Sequence, residues 1–261
     1  MKRRLTAVLA TVGAACGLLT TSLAHAQQRP EFGEKGSLII SADRLVPFFA
    51  FSHWSEDGPT PGGVTKTTAT ASQTSLSFLY GYTTDPNDLF YTVPRVGIDY
   101  TIVPNVTLGG DLVVFFTLGG STGTETDFSN GNSTTTSTTA PKTTIFGVAP
   151  RGGYILGLNN MFSLWLRGGF SFYTLSQKQT NNGNGNDITT TNSQHQFSLD
   201  LDPQFVFTPI PHVGFTAGLT VDIPFAGGHS IETDNGGTTN TFSASSSMFY
   251  LGVTVGMLAY F

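Results

Sequence analysis

Phe249-Tyr-Leu-Gly-Val-Thr-Val-Gly-Met-Leu-Ala-Tyr-Phe261 closes the 261-residue chain, and its alternation decides the fold. Phe249, Leu251, Val253, Val255, Met257, Ala259 and Phe261 are apolar, while Gly252, Thr254 and Gly256 fall between them. Side chains on a strand point alternately to opposite faces, so this is a strand with one oily face. Chain ends of soluble domains usually fray into water. Ending on the most apolar strand, with a bare aromatic last, is instead what a wall of a membrane barrel would do.

The opposite terminus is consistent with export. Lys2, Arg3 and Arg4 precede an apolar run from Leu5 to Leu23, and Ala24-His25-Ala26 supplies small residues for cleavage. Residues 1–26 therefore read as a signal peptide, with Gln27 as the mature start. The run is diluted by Gly, Thr and Ser, unlike a membrane anchor. Cys16, the single cysteine, lies inside it; Gly13 and the apolar Gly17-Leu18-Leu19 do not suit lipidation. A mature chain without cysteine has no disulfide, thiolate chemistry or Cys-ligated zinc.

About 235 residues then remain, with 9 of the 12 basic residues against 17 acidic ones, a net charge of −8. No basic stripe is left to neutralise phosphates, which excludes nucleic acid as a partner. Charged residues make up 11% of the chain, against roughly a quarter in soluble domains. Yet no mature stretch offers the ~20 continuous apolar residues of a membrane helix. Few charges, many aromatics and abundant Gly and Thr fit a membrane β-barrel, in which each strand has only one lipid face.

Turn chemistry sets the strand count. Short turns fall at Pro104-Asn105, Asn159-Asn160 and Pro209-Ile210-Pro211-His212, and long polar stretches at 121–142, 180–193 and 227–240. This asymmetry matches short periplasmic turns and long outer loops. The segments between read as eight strands, at about 37–54, 88–103, 106–120, 143–158, 161–179, 194–208, 213–226 and 241–261. The expected fold is an all-β, up-and-down antiparallel transmembrane barrel over 37–261, after a short periplasmic segment at 27–36. Ser75-Leu-Ser-Phe-Leu-Tyr80 also reads as a strand. It is assigned to a structured first outer loop within 55–87, and a ten-stranded barrel is the alternative.

Polar residues recur opposite the oily face. Arg95, Asp99, Asp111, Arg151, Arg167, Asp200, Asp202 and Asp222 all lie mid-strand on that polar face. Each stands some five to nine residues from a short turn, so at a rise of about 3.3 Å per residue they collect at mid-height inside the barrel. Asp43 and Arg44 in the first strand are expected to join them; their adjacency puts them on opposite faces unless a bulge intervenes, and the oily parity shifts after them. An eight-stranded barrel is just wide enough for its side chains to fill. The charges then pair into a plugging network, or they line an ion pathway that favours cations because acids are in excess.

Two aromatic belts are expected at the membrane interfaces. Phe48, Phe49, Phe51, Trp54, Phe115, Phe116, Phe172 and Tyr173 would form the outer one. Tyr100, Phe162, Phe205, Phe207, Tyr260 and Phe261 would form the periplasmic one.

Catalytic patterns are absent from the sequence. His53, His195 and His229 stand near the outer rim close to Ser52, Ser193 and Ser230, and His212 sits at a short turn. Serine is abundant, so such neighbours are expected by chance, and neither G-x-S-x-G nor H-E-x-x-H occurs. Asn181-Asn-Gly-Asn-Gly-Asn-Asp187 lacks calcium-loop spacing, with Asp187 its one charge. The sequons at Asn105 and Asn132 have no bearing in a bacterial envelope. No enzyme activity, cofactor or metal is expected.

With these features together, the chain resembles the small Gram-negative outer-membrane β-barrel proteins, the OmpA/OmpX-like group in the broad sense. The resemblance covers nearly the whole mature chain and rests on architecture and the ending at Val253, Val255, Met257, Ala259, Tyr260 and Phe261. It implies an address in the cell outer membrane, contact with its lipid and lipopolysaccharide, and insertion by the barrel-assembly machinery through that C-terminal signal. No peptidoglycan-binding domain is expected after the last strand. The implied role is structural, or surface interaction through long loops with a partner the sequence does not identify. A narrow pore for ions or small solutes is the alternative.

Overall fold

The computed structural model describes residues 32–59, 66–76, 89–118, 120–127, 133–183 and 186–261. The expected signal peptide, Cys16 and the mature start lie outside them, as do Asn132 and the last four residues of Ser75–Tyr80.

The described residues form eleven strands and one short helix: β1 (Leu38–Pro59), β2 (Lys66–Leu76), α1 (Leu89–Thr92), β3 (Arg95–Val103), β4 (Val106–Phe116), β5 (Gly120–Asp127), β6 (Ser133–Ala140), β7 (Lys142–Gly157), β8 (Phe162–Gly183), β9 (Asn186–Ile210), β10 (Val213–Asp234) and β11 (Thr239–Tyr260). Eight of them close a ring in the order β1, β3, β4, β7, β8, β9, β10, β11 and back to β1, every pair antiparallel. The fold is thus an eight-stranded transmembrane β-barrel, not a ten-stranded one. Among the described residues, β2 ladders with β1, and the β5–β6 hairpin ladders with β8 at Ser137↔Asn182 and Thr138↔Asn181. Closure removes the free edges an open sheet would leave. At the seam, Leu38 and Phe261 exchange backbone hydrogen bonds of 2.9 Å in both directions.

The three short turns gather at the end of the ring that holds Leu38 and Phe261. Asn105 and His212 adopt φ of 68° there, and the Asn159 carboxamide oxygen accepts from the backbone N–H of Met161 and Phe162 at 2.8 and 2.9 Å. At the opposite end the sequence reading needs correction. The stretches 121–142, 180–193 and 227–240, expected as loops, mostly continue as strands: β8 runs on to Gly183, β10 to Asp234, and β5 and β6 occupy most of the first. Their Thr-rich composition favours extended backbone, and a hairpin ladder extends as long as both arms supply such residues. The second ring strand starts at Arg95, seven residues after the expected 88, because α1 precedes it.

Apolar residues face outward, the inverse of a soluble sandwich. Val96, Ile98, Leu108, Val114, Leu219 and Met257 are all exposed on the barrel wall. At the long-hairpin side this wall ends in a girdle of phenylalanines, one from each ring strand but β3. Phe116, Phe146, Phe197 and Phe225 are exposed, and Phe51, Phe172 and Phe249 are half-buried against them. Phe172 lies 4.6 Å from Phe197, and Phe197 6.2 Å from Phe225, between ring centroids.

Four residues assigned to the belts from sequence point inward instead. Tyr173 and Tyr260 are buried, and Phe115 and Trp54 pack against the interior cluster. The reason is pleating: Phe115 and Phe116, Phe172 and Tyr173, or Tyr260 and Phe261 are chain neighbours, so only one of each pair can meet lipid. In β1 a register shift between Pro47 and Phe49 sets Trp54 on the inner face with Ala50 and Ser52.

Candidate functional site: a charged layer between two aromatic stoppers

The ring interior is filled in layers. At the short-turn end, Phe32 is 1% exposed and packs edge-on against Trp165 and Tyr260, at 5.7 and 5.4 Å between centroids. Ile39, Ile155, Val206 and Leu258 complete this floor. Phe32 comes from the segment before β1, which turns back into the mouth of the ring. Gly33 permits the turn: its φ is +100°, and a Cβ there would lie 3.1 Å from the Asn105 side chain. The Asn105 N–H donates to Gly33 O at 2.9 Å, and the Gly36 N–H to Thr101 O at 2.8 Å.

Above this floor lie the charges. Asp43, Arg95, Asp99, Asp111, Arg151, Arg167, Asp200, Asp202 and Asp222 all have buried side chains inside the ring, and Arg44 is with them. Arg44 has φ of 56° and stands in a bulge between Ala42 and Val46, which places both Asp43 and Arg44 on the inner face.

They divide into two lobes. In the lower one, Arg151 reaches Asp43 at 3.0 Å, Asp99 at 2.6 Å and also Asp111. Arg167 pairs with Asp202 and, at 2.9 Å, with the same Asp43. Both guanidinium groups lie over Trp165, 5.6 and 4.6 Å from its ring, so the floor also serves as a cation–π base. Gly97 makes room for this lobe: a Cβ there would lie 2.5 Å from Arg151 Nη2 and 2.6 Å from Asp111 Oδ1. In the upper lobe, Arg44 holds Asp222 at 3.1 Å and Asp200 at 3.4 Å, and Arg95 holds Asp200 at 3.3 Å. The upper lobe is balanced in formal charge, whereas the lower sets four carboxylates against two arginines.

A second aromatic layer covers the upper lobe. Tyr91, from α1, stacks on Tyr250 at 4.9 Å and meets Tyr173 edge-on at 5.7 Å. Its backbone carbonyl accepts from Arg44 at 3.2 Å, its hydroxyl donates to Met248 O at 3.1 Å, and Gln196 bonds that hydroxyl from β9. Arg95 lies 4.9 Å from the Tyr173 ring. Neither Tyr91 nor Phe32 stands in an alternating run, so strand periodicity does not reveal them. The one signal for Phe32 is the pair Gly33 and Gly36, which marks a turn before β1.

The histidines fall at separate places. His229 Nδ1 meets Glu56 Oε2 at 2.7 Å and its Nε2 meets Asn192 Oδ1 at 2.8 Å. His53 Nδ1 lies 2.8 Å from Ser72 Oγ, and His212 Nδ1 lies 2.8 Å from Tyr260 O at the far end. Among the described residues, no histidine contacts both a serine and an acid, and no cluster of ligating groups could hold a metal ion.

The closed ring and its outward apolar wall define a small transmembrane β-barrel of the outer-membrane type. No protein-family model matches the chain, nor does any curated protein sequence. Among solved structures it is similar to a major outer membrane protein of Thermus thermophilus (13% identical, 85% of this chain and 99% of that one, TM-score 0.42). It is similar also to Ail, the attachment invasion locus protein of Yersinia pestis (13%, 86% and 99%, TM-score 0.29). A third is the outer membrane protease OmpT of Escherichia coli (10%, 90% and 99%, TM-score 0.34). The class follows from the chain's own ring and wall.

Proposed function

We propose that this is a non-enzymatic integral protein of the Gram-negative outer membrane, closed to solute flow, that acts through the strands rising beyond the membrane. The observation that carries this reading is the filled lumen. Phe32 and Tyr91 lie across the path on either side of a salt-bridged layer, and both belong to segments outside the ring strands. A narrow pore, the competing reading, would require both stoppers to leave and the ion pairs between them to part.

In this reading the short-turn end faces the periplasm and the long hairpins face outward, in contact with lipopolysaccharide. Residues 1–26 are removed on export, and the assembly machinery takes the chain by its terminal strand. The barrel then holds an acidic, Thr- and Ser-rich set of hairpins at the surface for a partner other than nucleic acid.

Orientation is tested by labelling intact cells with a membrane-impermeant maleimide, which the cysteine-free mature chain makes simple. Gly237→Cys, with no neighbouring atom within 4 Å of its Cβ position, should label on whole cells. Asn160→Cys, in a short turn, should label only after permeabilisation. The reverse pattern would overturn the orientation.

A further inference from the structure

Just beyond the phenylalanine girdle, β10 and β11 part. Their register runs from Val213↔Ala259 to Asp222↔Tyr250 and resumes at Gly228↔Ser245, six steps along β10 against five along β11. Pro224 lies in the interval and has no N–H for the ladder. β10 shifts against β9 there too, between Pro224 and Ala226. The Met248 backbone is held in this gap by a β9 side chain: Gln196 Nε2 donates to Met248 O at 2.8 Å, and the Met248 N–H donates to Gln196 Oε1 at 3.0 Å.

The parted strands leave a groove of about 440 Å³ whose lining includes Ser55, Asp57, Phe225, Ser245 and Ser247. Ser245 and Ser247 alternate along β11 with Ser246, whose hydroxyl accepts from the inward Trp54 indole at 3.1 Å. The two therefore face out of the barrel, as does Ser55, the register partner of Ser247. Among the described residues, the hydroxyls of Ser55, Ser245 and Ser247 bond no protein group. Phe225, 63% exposed, forms the lip on the apolar side.

We propose that this groove binds the sugar head of a membrane glycolipid. Serine hydroxyls both donate and accept, and the Asp57 carboxylate accepts, which suits a polyhydroxylated ring. Phe225 offers an apolar face to its C–H groups. Among the described residues the lining holds no Lys, Arg or His, so these residues supply no counter-charge for a phosphate head. Position selects the lipid-borne sugar over a free one: below the groove the wall is apolar and receives acyl chains, above it the strands are polar. The inference rests on the ring spanning a membrane, not on which leaflet the groove faces.

The test uses the mature chain in phosphatidylglycerol nanodiscs carrying a minor fraction of a monohexosyl diacylglycerol, with retained lipid read by native mass spectrometry. Wild type should retain the hexosyl lipid in preference to phosphatidylglycerol. Ser245→Ala/Ser247→Ala and Asp57→Asn should each lower that retention roughly tenfold, the factor given by ~1.4 kcal/mol of lost bonding. Heat-modifiable gel migration confirms separately that each variant keeps its barrel. Equal retention of both lipids by wild type, unchanged retention in folded variants, or full displacement by methyl hexoside would each overturn the proposal.

Discussion

Arg151 illustrates what a single side chain does in this lumen. It reaches three carboxylates from one position on β7 and rests on an indole. Replacing it leaves Asp43, Asp99 and Asp111 in a confined interior with less counter-charge, and breaking a buried pair costs about 3–5 kcal/mol. Urea titration of folded protein in lipid vesicles should therefore find Arg151→Met destabilised by that amount. Lys142→Met, at an exposed site, should stay within about 0.5 kcal/mol of wild type. Equal effects would mean that the layer is not held by its ion pairs. Residues of this kind were legible in the sequence because charge on the polar face of an alternating strand has only the interior to occupy. Arg44 was half legible: its adjacency to Asp43 demanded a bulge, but only the observed φ and register shift locate one. Phe32 and Tyr91 were not legible, since they belong to no alternating run and are held by tertiary contacts alone.

At the scale of elements, turn chemistry gave the number of ring strands but not their lengths. Period-two alternation of apolar and polar residues marks the part of a strand that has lipid on one side. Beyond the girdle both faces of β8 to β11 meet water or one another, the alternation fades, and Thr- and Asn-rich ladders look like loops. The same loss of contrast hid β2, β5 and β6. These strands lie outside the ring, so the β5–β6 hairpin should be dispensable for assembly. Replacing 119–141 by a short Gly-Ser connector should leave heat-modifiable migration intact, because two residue pairs to β8 are its only ladder contact among the described residues. Loss of the migration shift would show that the hairpin helps to form the ring.

For the whole molecule, an apolar wall, a charged middle and two aromatic layers make a transmembrane barrel with a filled interior. Carboxylates in excess would favour cations in an open lumen, but Phe32 and Tyr91 are buried on either side of the charged layer, which supports the closed reading proposed above. The account is tested most directly by single-channel recording of the purified full-length mature protein in planar bilayers, alongside the Phe32→Gly/Tyr91→Gly variant in the same membranes. Wild type is predicted to give no discrete conductance while migrating as a folded barrel. Stable, cation-selective steps from wild type would contradict the closed lumen.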